Sequence, residues 1–212
     1  MRLRATSLFA SVAIAVASAA APAWADEPAT APEIKPEGQA PQAKPEEPAP
    51  QTPAEVRADL YTRLAAAKDS DETEGIIGLL LHSYAESGSD TGDLLLQRAR
   101  KAMGESEYDD ARKILDVTVA LLPDWAEGWN ARATVRYLDD DYDGSMADIA
   151  QTLKREPRHL GALMGMGAIL EERDKREQAL KVYDRVLAIA PHWRNAQERA
   201  DQLKAALAGQ EL

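Results

Sequence analysis

The sequence predicts an all-α fold, an α-α superhelical solenoid of antiparallel helix pairs closed by a C-terminal capping helix. Three observations carry this. Ala, Leu, Glu, Asp, Lys and Arg dominate, and aromatic residues make up only 5% of the chain, a composition that favours helix over sheet. Pro123, Pro157 and Pro191 lie thirty-four residues apart, twice over, while every other proline lies at or before Pro53. Proline lacks an N–H and its ring clashes with the preceding helical turn, so each of the three marks a helix that has stopped. Small residues recur at the same interval, at Ala99, Ala133 and Gly167 and at Ala111, Ser145 and Ala179, as do large apolar ones at Leu115, Ile149 and Tyr183. Small residues at matched places are what two helices need in order to cross closely.

The N-terminus reads as an address. Arg2 and Arg4 precede an apolar stretch, Leu8 to Ala20, that is too short and small-residued to span a bilayer comfortably. Ala23-Trp24-Ala25 then supplies a small-x-small cleavage site. This is the pattern of a secretory signal peptide over residues 1–25, which places the mature protein in the periplasm or outside the cell, with no membrane span left after cleavage. Residues 26–53 hold eight prolines and almost no large apolar side chain. Nothing there can offset the ordering entropy, so the segment is expected to be a disordered, extended spacer.

From Ala54 the pattern turns helical. Val56, Leu60, Leu64 and Ala67 share one helix face, the run Lys68 to Asp71 breaks it, and Ile76, Ile77, Leu80, Leu81 and Tyr84 mark a second helix. Gly88 closes that helix, and Ser89 or Asp90 caps the next. Residues 54–91 thus form an N-terminal helix pair that reads as a degenerate repeat, with Ser89 where proline would stand. The prolines then frame three units, residues 92–125, 126–159 and 160–193. Trp125, His159 and Trp193 share the position two after each proline. Residues 194–212 are the expected capping helix and tail: the stripe Ala196, Ala200, Leu203 and Leu207, led by Trp193 just before it, predicts a helix that covers the exposed end of the last pair.

The phasing from Gly92 to Trp193 resembles the tetratricopeptide repeat: two antiparallel helices per thirty-four residues, small residues at the crossings, a large plug and a closing proline. YDDARKILDVTVALLP and REQALKVYDRVLAIAP look like second helices of such repeats, and DYDGSMADIAQTLKREP like a weaker version. There are departures: Leu95 and Leu163 stand where the fourth position usually holds Trp, although Trp129 has it, and Tyr137 lies one residue past the usual tyrosine. The resemblance implies a peptide- or protein-binding scaffold in which the first helix of each pair lines a concave groove. The second, fifth, ninth and twelfth positions of that helix commonly face a bound peptide, and the groove candidates here are Leu96, Arg100 and Met103, Asn130, Thr134 and Tyr137, and Met164, Ala168 and Glu171. Some cytoplasmic members clamp a C-terminal carboxylate with Lys and Asn at the fifth and ninth positions; Leu96 with Arg100, Asn130 with Thr134 and Met164 with Ala168 do not match that pattern.

Other functional classes find little support. A formal net charge of −11 opposes binding to nucleic acid and to anionic membranes. The chain has no cysteine, which removes disulfides and thiolate metal sites. Asp139, Asp141, Asp143 and Gly144 mimic the start of a calcium loop, but Ala150 stands where its twelfth-position Glu is needed. The run falls between the two helices of a pair and reads as a turn. His82, His159 and His192 show no ligand spacing, and no nucleophile triad or phosphate loop is present. No cofactor, metal or catalytic residue is expected; the expected partner is a protein or peptide. Alternative readings are an envelope assembly factor acting by self-association and an enzyme or small-ligand receptor that uses the same groove.

Overall fold

The structure, a computed structural model, describes residues 52–209. The expected signal peptide and residues 26–51 of the expected linker lie outside the described residues. Among the described residues there are nine helices and no strand: α1 (Pro53–Ala66), α2 (Ser70–Ala85), α3 (Asp90–Gly104), α4 (Tyr108–Leu121), α5 (Ala126–Leu138), α6 (Tyr142–Arg155), α7 (Leu160–Glu172), α8 (Arg176–Ile189) and α9 (Arg194–Ala208). None of them is long and apolar enough to cross a membrane.

The repeat period reappears as a set of local devices. Each of the three prolines sits in the turn between one pair and the next, and α5, α7 and α9 each begin three residues later. Within each pair, the turn between helices holds a residue in the left-handed region: Ser106 (φ 61°), Asp140 (φ 58°) and Asp174 (φ 53°). In every case the following amide reaches back to the first helix, Glu107 to Ala102, Asp141 to Arg136 and Lys175 to Leu170, each at 2.8 Å. This satisfies a carbonyl that the helix end would otherwise leave open. Serine and aspartate fill a place where glycine would be expected. The aspartate run is therefore spent on a turn: Asp140 makes the reversal, Asp141 caps α6 through the Gly144 amide at 2.9 Å, and Asp143 pairs with Arg173 at 2.7 Å.

The crossings inside the three pairs are size-matched. Ala99 and Leu115 are fully buried in the first, and Ala133 and Ile149 in the second. In the third the plug is the larger Tyr183, and the residue facing it is Gly167, where an added Cβ would lie 2.6 Å from the ring. A tyrosine fits only because its partner has no side chain. Asp148, 2% exposed, ties the second pair together through paired bonds from Arg132 at 2.9 and 2.8 Å, and Arg132 also reaches Asp116 of α4 at 2.8 Å. At the C-terminal end, Ala200 and Leu203 of α9 bury against Leu170, Ala179 and Tyr183, while the outer side of α9 is polar.

The N-terminal pair requires a correction. Helices α1 and α2 form where the periodicity places them, with Asp69 capping α2 and Ser89 capping α3. They do not extend the stack as a preceding repeat would: α2 packs on α1 and meets α5, and α1 meets α8. The pair lies along the edge where the repeats join. Leu60, Tyr61, Leu64, Ile76, Ile77, Leu80 and Tyr84 share one core with Leu160, Leu163, Val186, Ala190 and Ala196. The reason lies in the row of residues two after each proline. Trp125 donates to the Tyr84 carbonyl at 2.9 Å, His159 stacks on the Tyr84 ring at 4.1 Å, and Trp193 packs on the shared core. That row offers a long apolar strip, and burying it against two amphipathic helices removes more apolar surface from water than either would lose alone.

Candidate functional site

The curvature of the stack follows from which helices touch. Successive first helices meet, α3 with α5 and α5 with α7, whereas no two second helices come comparably close. The first helices therefore lie on the inside of the bend, and their free sides form the groove.

The sequence-named residues divide into four groups. Leu96 does not belong to the groove: it is 2% exposed and packs with Ala99, Ala131 and Val135 between α3 and α5. A leucine at this contact between neighbouring first helices is drawn into the core, where a polar residue would stay at the surface. Met103 and Met164 are half-buried and fill gaps beside the core clusters, Met164 between the cluster of Leu160 and Leu163 and that of Leu170 and Tyr183. Arg100 and Asn130 are joined through a residue that sequence reasoning did not single out, Glu127. Its buried carboxylate accepts from Arg100 at 2.7 Å and from the Asn130 amide at 3.0 Å.

Glu127 also meets His159 at 3.2 Å. His159 is fully buried and caps α7: its Nδ1 accepts the Ala162 amide at 3.2 Å, so Nε2 carries the proton and donates to Glu127. Above the ring, the Tyr84 hydroxyl donates to that of Tyr61, which donates to the Arg158 carbonyl at 2.9 Å. Burial pushes the Tyr84 phenol up to about 12 and that of Tyr61 up as well. An acid beside a histidine invites a catalytic reading, but both groups are committed. One Glu127 oxygen is taken by Arg100 and the other by Asn130 and His159, while Nδ1 is held by the helix start. A cleft of about 510 Å³ opens beside Glu127, between the N-terminal pair and the first repeat junction, and His159 does not line it. The cluster locks the three first helices to α2.

The remaining residues, Thr134, Tyr137, Ala168 and Glu171, do converge. Tyr137 separates two shallow clefts. One, of about 90 Å³, lies between Asn130, Thr134 and Tyr137 on α5 and Gly161 and Gly165 on α7. The other, of about 180 Å³, lies between Tyr137, Ala168, Glu171 and Glu172 and Arg199 of the capping helix. The floor is lined by Gly161, Gly165 and Ala168, small residues that let an incoming chain come close to the α7 backbone. Glu171 is oriented from beneath by the Tyr183 hydroxyl at 2.6 Å and from the side by Arg199 at 3.7 Å. The glycines and Arg199 went unnamed in the sequence. Gly161 stands at a recognised groove position, but nothing in the repeat period points to Arg199.

Among the described residues, three matched helix pairs, a polar-faced capping helix, an N-terminal pair docked along the repeat junctions and a groove lined by first helices define a helical-repeat protein. The chain is 41% identical over 150 residues to a TPR repeat-containing protein of Rhizobium etli, a match that spans 71% of this chain and 74% of the relative. The chain belongs to the tetratricopeptide-repeat family. No family model matches it. Among solved structures it is similar to the first TPR of Spaghetti (RPAP3) bound to the HSP90 peptide SRMEEVD, with a TM-score of 0.54 and 22% identity over 57% of this chain and 95% of that one. It is also similar to the Arabidopsis OM64 TPR domain, with a TM-score of 0.53 and 13% identity over 55% and 97% of the two chains. These likenesses are of fold.

Proposed function

We propose that this protein is a non-catalytic scaffold, exported to the cell envelope, that holds a segment of a partner protein in its concave groove. The observation that carries this reading is the pair of clefts on either side of Tyr137, over a glycine and alanine floor. An extended peptide laid along α7 would place a small apolar side chain in the cleft beside Gly161 and Gly165. Its next residues would meet Tyr137 and the carboxylates of Glu171 and Glu172. A basic partner is favoured, because the net charge of −11 would steer it toward the groove. The solved relatives in complex with HSP90 or HSP70 peptides support the use of such a groove for peptides. They do not transfer their ligands, since Leu96 is buried and Arg100 is committed to Glu127. Export rests on the Arg2 to Ala25 pattern.

The test is recovery of partners from cells expressing the full chain, with Ala168→Arg and Tyr137→Ala as variants. Ala168→Arg fills the groove without touching the core. Both variants are expected to lose the partners that the parent recovers; undiminished recovery from both removes the groove as the site. The mass of the purified protein checks export separately, with a mature N-terminus at Asp26 expected and an intact Met1 or Arg2 contradicting it.

A further inference from the structure

Because the N-terminal pair packs along the junction edge, the stack has one open end. Every later repeat has a neighbour in front of it. The position of Gly128 and Ala162 lies under that neighbour: a Cβ on Gly128 would sit 3.5 Å from Thr118 and 3.8 Å from Val119 of α4, and Ala162 is buried with Ile149 of α6. In the first repeat that position is Leu94, and it is 46% exposed. Arg155 and Arg185 each reach back to the proline carbonyl that closes the preceding repeat, at Pro123 and Pro157. Their equivalents in the first repeat are Leu121 and Val117, 58% and 51% exposed. Three large apolar side chains thus stand at places where later repeats meet a neighbour, and among the described residues no helix covers them, with Leu121 also bordering the cleft beside the N-terminal pair. A stack end of this kind normally carries polar residues, as the outer side of α9 does.

We propose that this end is covered by the same end of a second copy of the chain, forming a closed two-fold dimer. Two observations select this occupant. The C-terminal end is capped by α9, so copies cannot add head to tail, and like-to-like pairing about a two-fold axis remains. The exposed side of α3 is also self-complementary. It carries Asp90 and Asp93 near its start, Leu94 and Gln97 in the middle, and Arg98 and Lys101 near its end. Laid antiparallel on its own copy with the axis between Leu94 and Gln97, α3 sets Asp90 opposite Lys101 and Asp93 opposite Arg98, with Leu94 over Gln97. Each pairing occurs twice, as an isologous contact requires. The groove of each copy stays open, so the dimer presents two binding sites and would raise avidity for a repeated or paired partner. This inference does not depend on the groove reading.

The experiment is sedimentation velocity of the mature chain across the micromolar range. A concentration-dependent dimer is expected. Leu94→Glu/Leu121→Glu is expected to raise its dissociation constant by about tenfold or more through added like charge at the interface, with the thermal midpoint unchanged at concentrations below the parent's dissociation constant, where both chains are monomeric and both residues exposed. Lys101→Glu and Asp90→Lys are each expected to weaken self-association, and the two variants mixed are expected to pair with one another; Asp93 is left in place because its carboxylate also accepts from the Ser87 amide at 2.9 Å and hydroxyl at 2.6 Å. A chain that stays monomeric throughout overturns the proposal, as does a dimer indifferent to Leu94→Glu/Leu121→Glu. Tyr137→Ala is expected to leave the dimer intact, which keeps failure here distinct from failure of the groove.

Discussion

Gly167→Ala tests the size-matching of the helix crossings most sharply, because it sets a general rule against a local contact. Alanine in a helix interior is ordinarily favoured over glycine by about 1 kcal/mol. At Gly167, however, the new Cβ would lie 2.6 Å from two ring carbons of Tyr183 and 2.9 Å from its oxygen. The ring has no easy retreat: Tyr183 is 1% exposed and its hydroxyl is held by Glu171. Overpacking of this kind costs about 1–3 kcal/mol and outweighs the propensity gain. With the ring unable to retreat, the cost is set at the upper end of that range, and the expected net loss is up to about 2 kcal/mol, read by urea unfolding or as a fall in Tm of about 2–4 °C per kcal/mol. Gly78→Ala is the control. Gly78 is an exposed α2 residue with nothing within 4 Å of its added Cβ, and it should gain about 0.5–1 kcal/mol. The double variant Gly167→Ala/Tyr183→Leu recreates the Ala99–Leu115 pairing of the first repeat. It should be more stable than the sum of its singles by about 1 kcal/mol. If Gly167→Ala stabilises as Gly78→Ala does, or if the double variant shows no coupling, the matched-crossing account is wrong.

Two further predictions concern the buried polar cluster. Glu127→Ala strands His159 and Asn130 and leaves Arg100 without its acid. It should cost about 3 kcal/mol, with hydrogen exchange faster at the start of α7 and in α2; unchanged stability would show that the cluster does not hold the N-terminal pair. Burial raises the Tyr84 phenol from 10.0 to about 12, so the folded state favours the neutral form. Stability should stay level below the unfolded value near 10 and fall as pH climbs toward 12. Tyr84→Phe keeps the stack on His159 and should lessen that fall, with the raised phenols of Tyr61 and Tyr183 accounting for the rest; an equally steep loss in the variant would assign it to those groups alone.

What was legible in the sequence is what is local and repeated. Pro123, Pro157 and Pro191 framed the three pairs because a helix stop is encoded by one residue and its neighbours. The turn around Asp140 was legible in the aspartate run, but the left-handed residue that recurs at Ser106, Asp140 and Asp174 was not, because none is glycine. For the N-terminal pair, helix periodicity was sufficient to place α1 and α2 but not to dock them. Their seat is made of Trp125, His159, Trp193 and Ala196, brought together only by stacking, although three of these were visible as a matched row. In the groove, family positions located Thr134, Tyr137, Ala168 and Glu171 on one surface. They misplaced Leu96, whose burial depends on how closely α3 approaches α5, and they missed Glu127, whose partners Arg100 and His159 lie about thirty residues away on either side.

The central claim, that a partner lies in the concave groove, is tested most directly by position-resolved photo-crosslinking in cells. A photoreactive residue is placed in turn at Tyr137, at Thr134 and at Ala147 on the exposed side of α6. The account predicts the same partner captured from Tyr137 and Thr134, lost when Ala168→Arg is added, and absent from Ala147. Capture from Ala147 alone, or capture from Tyr137 that survives Ala168→Arg, would contradict it.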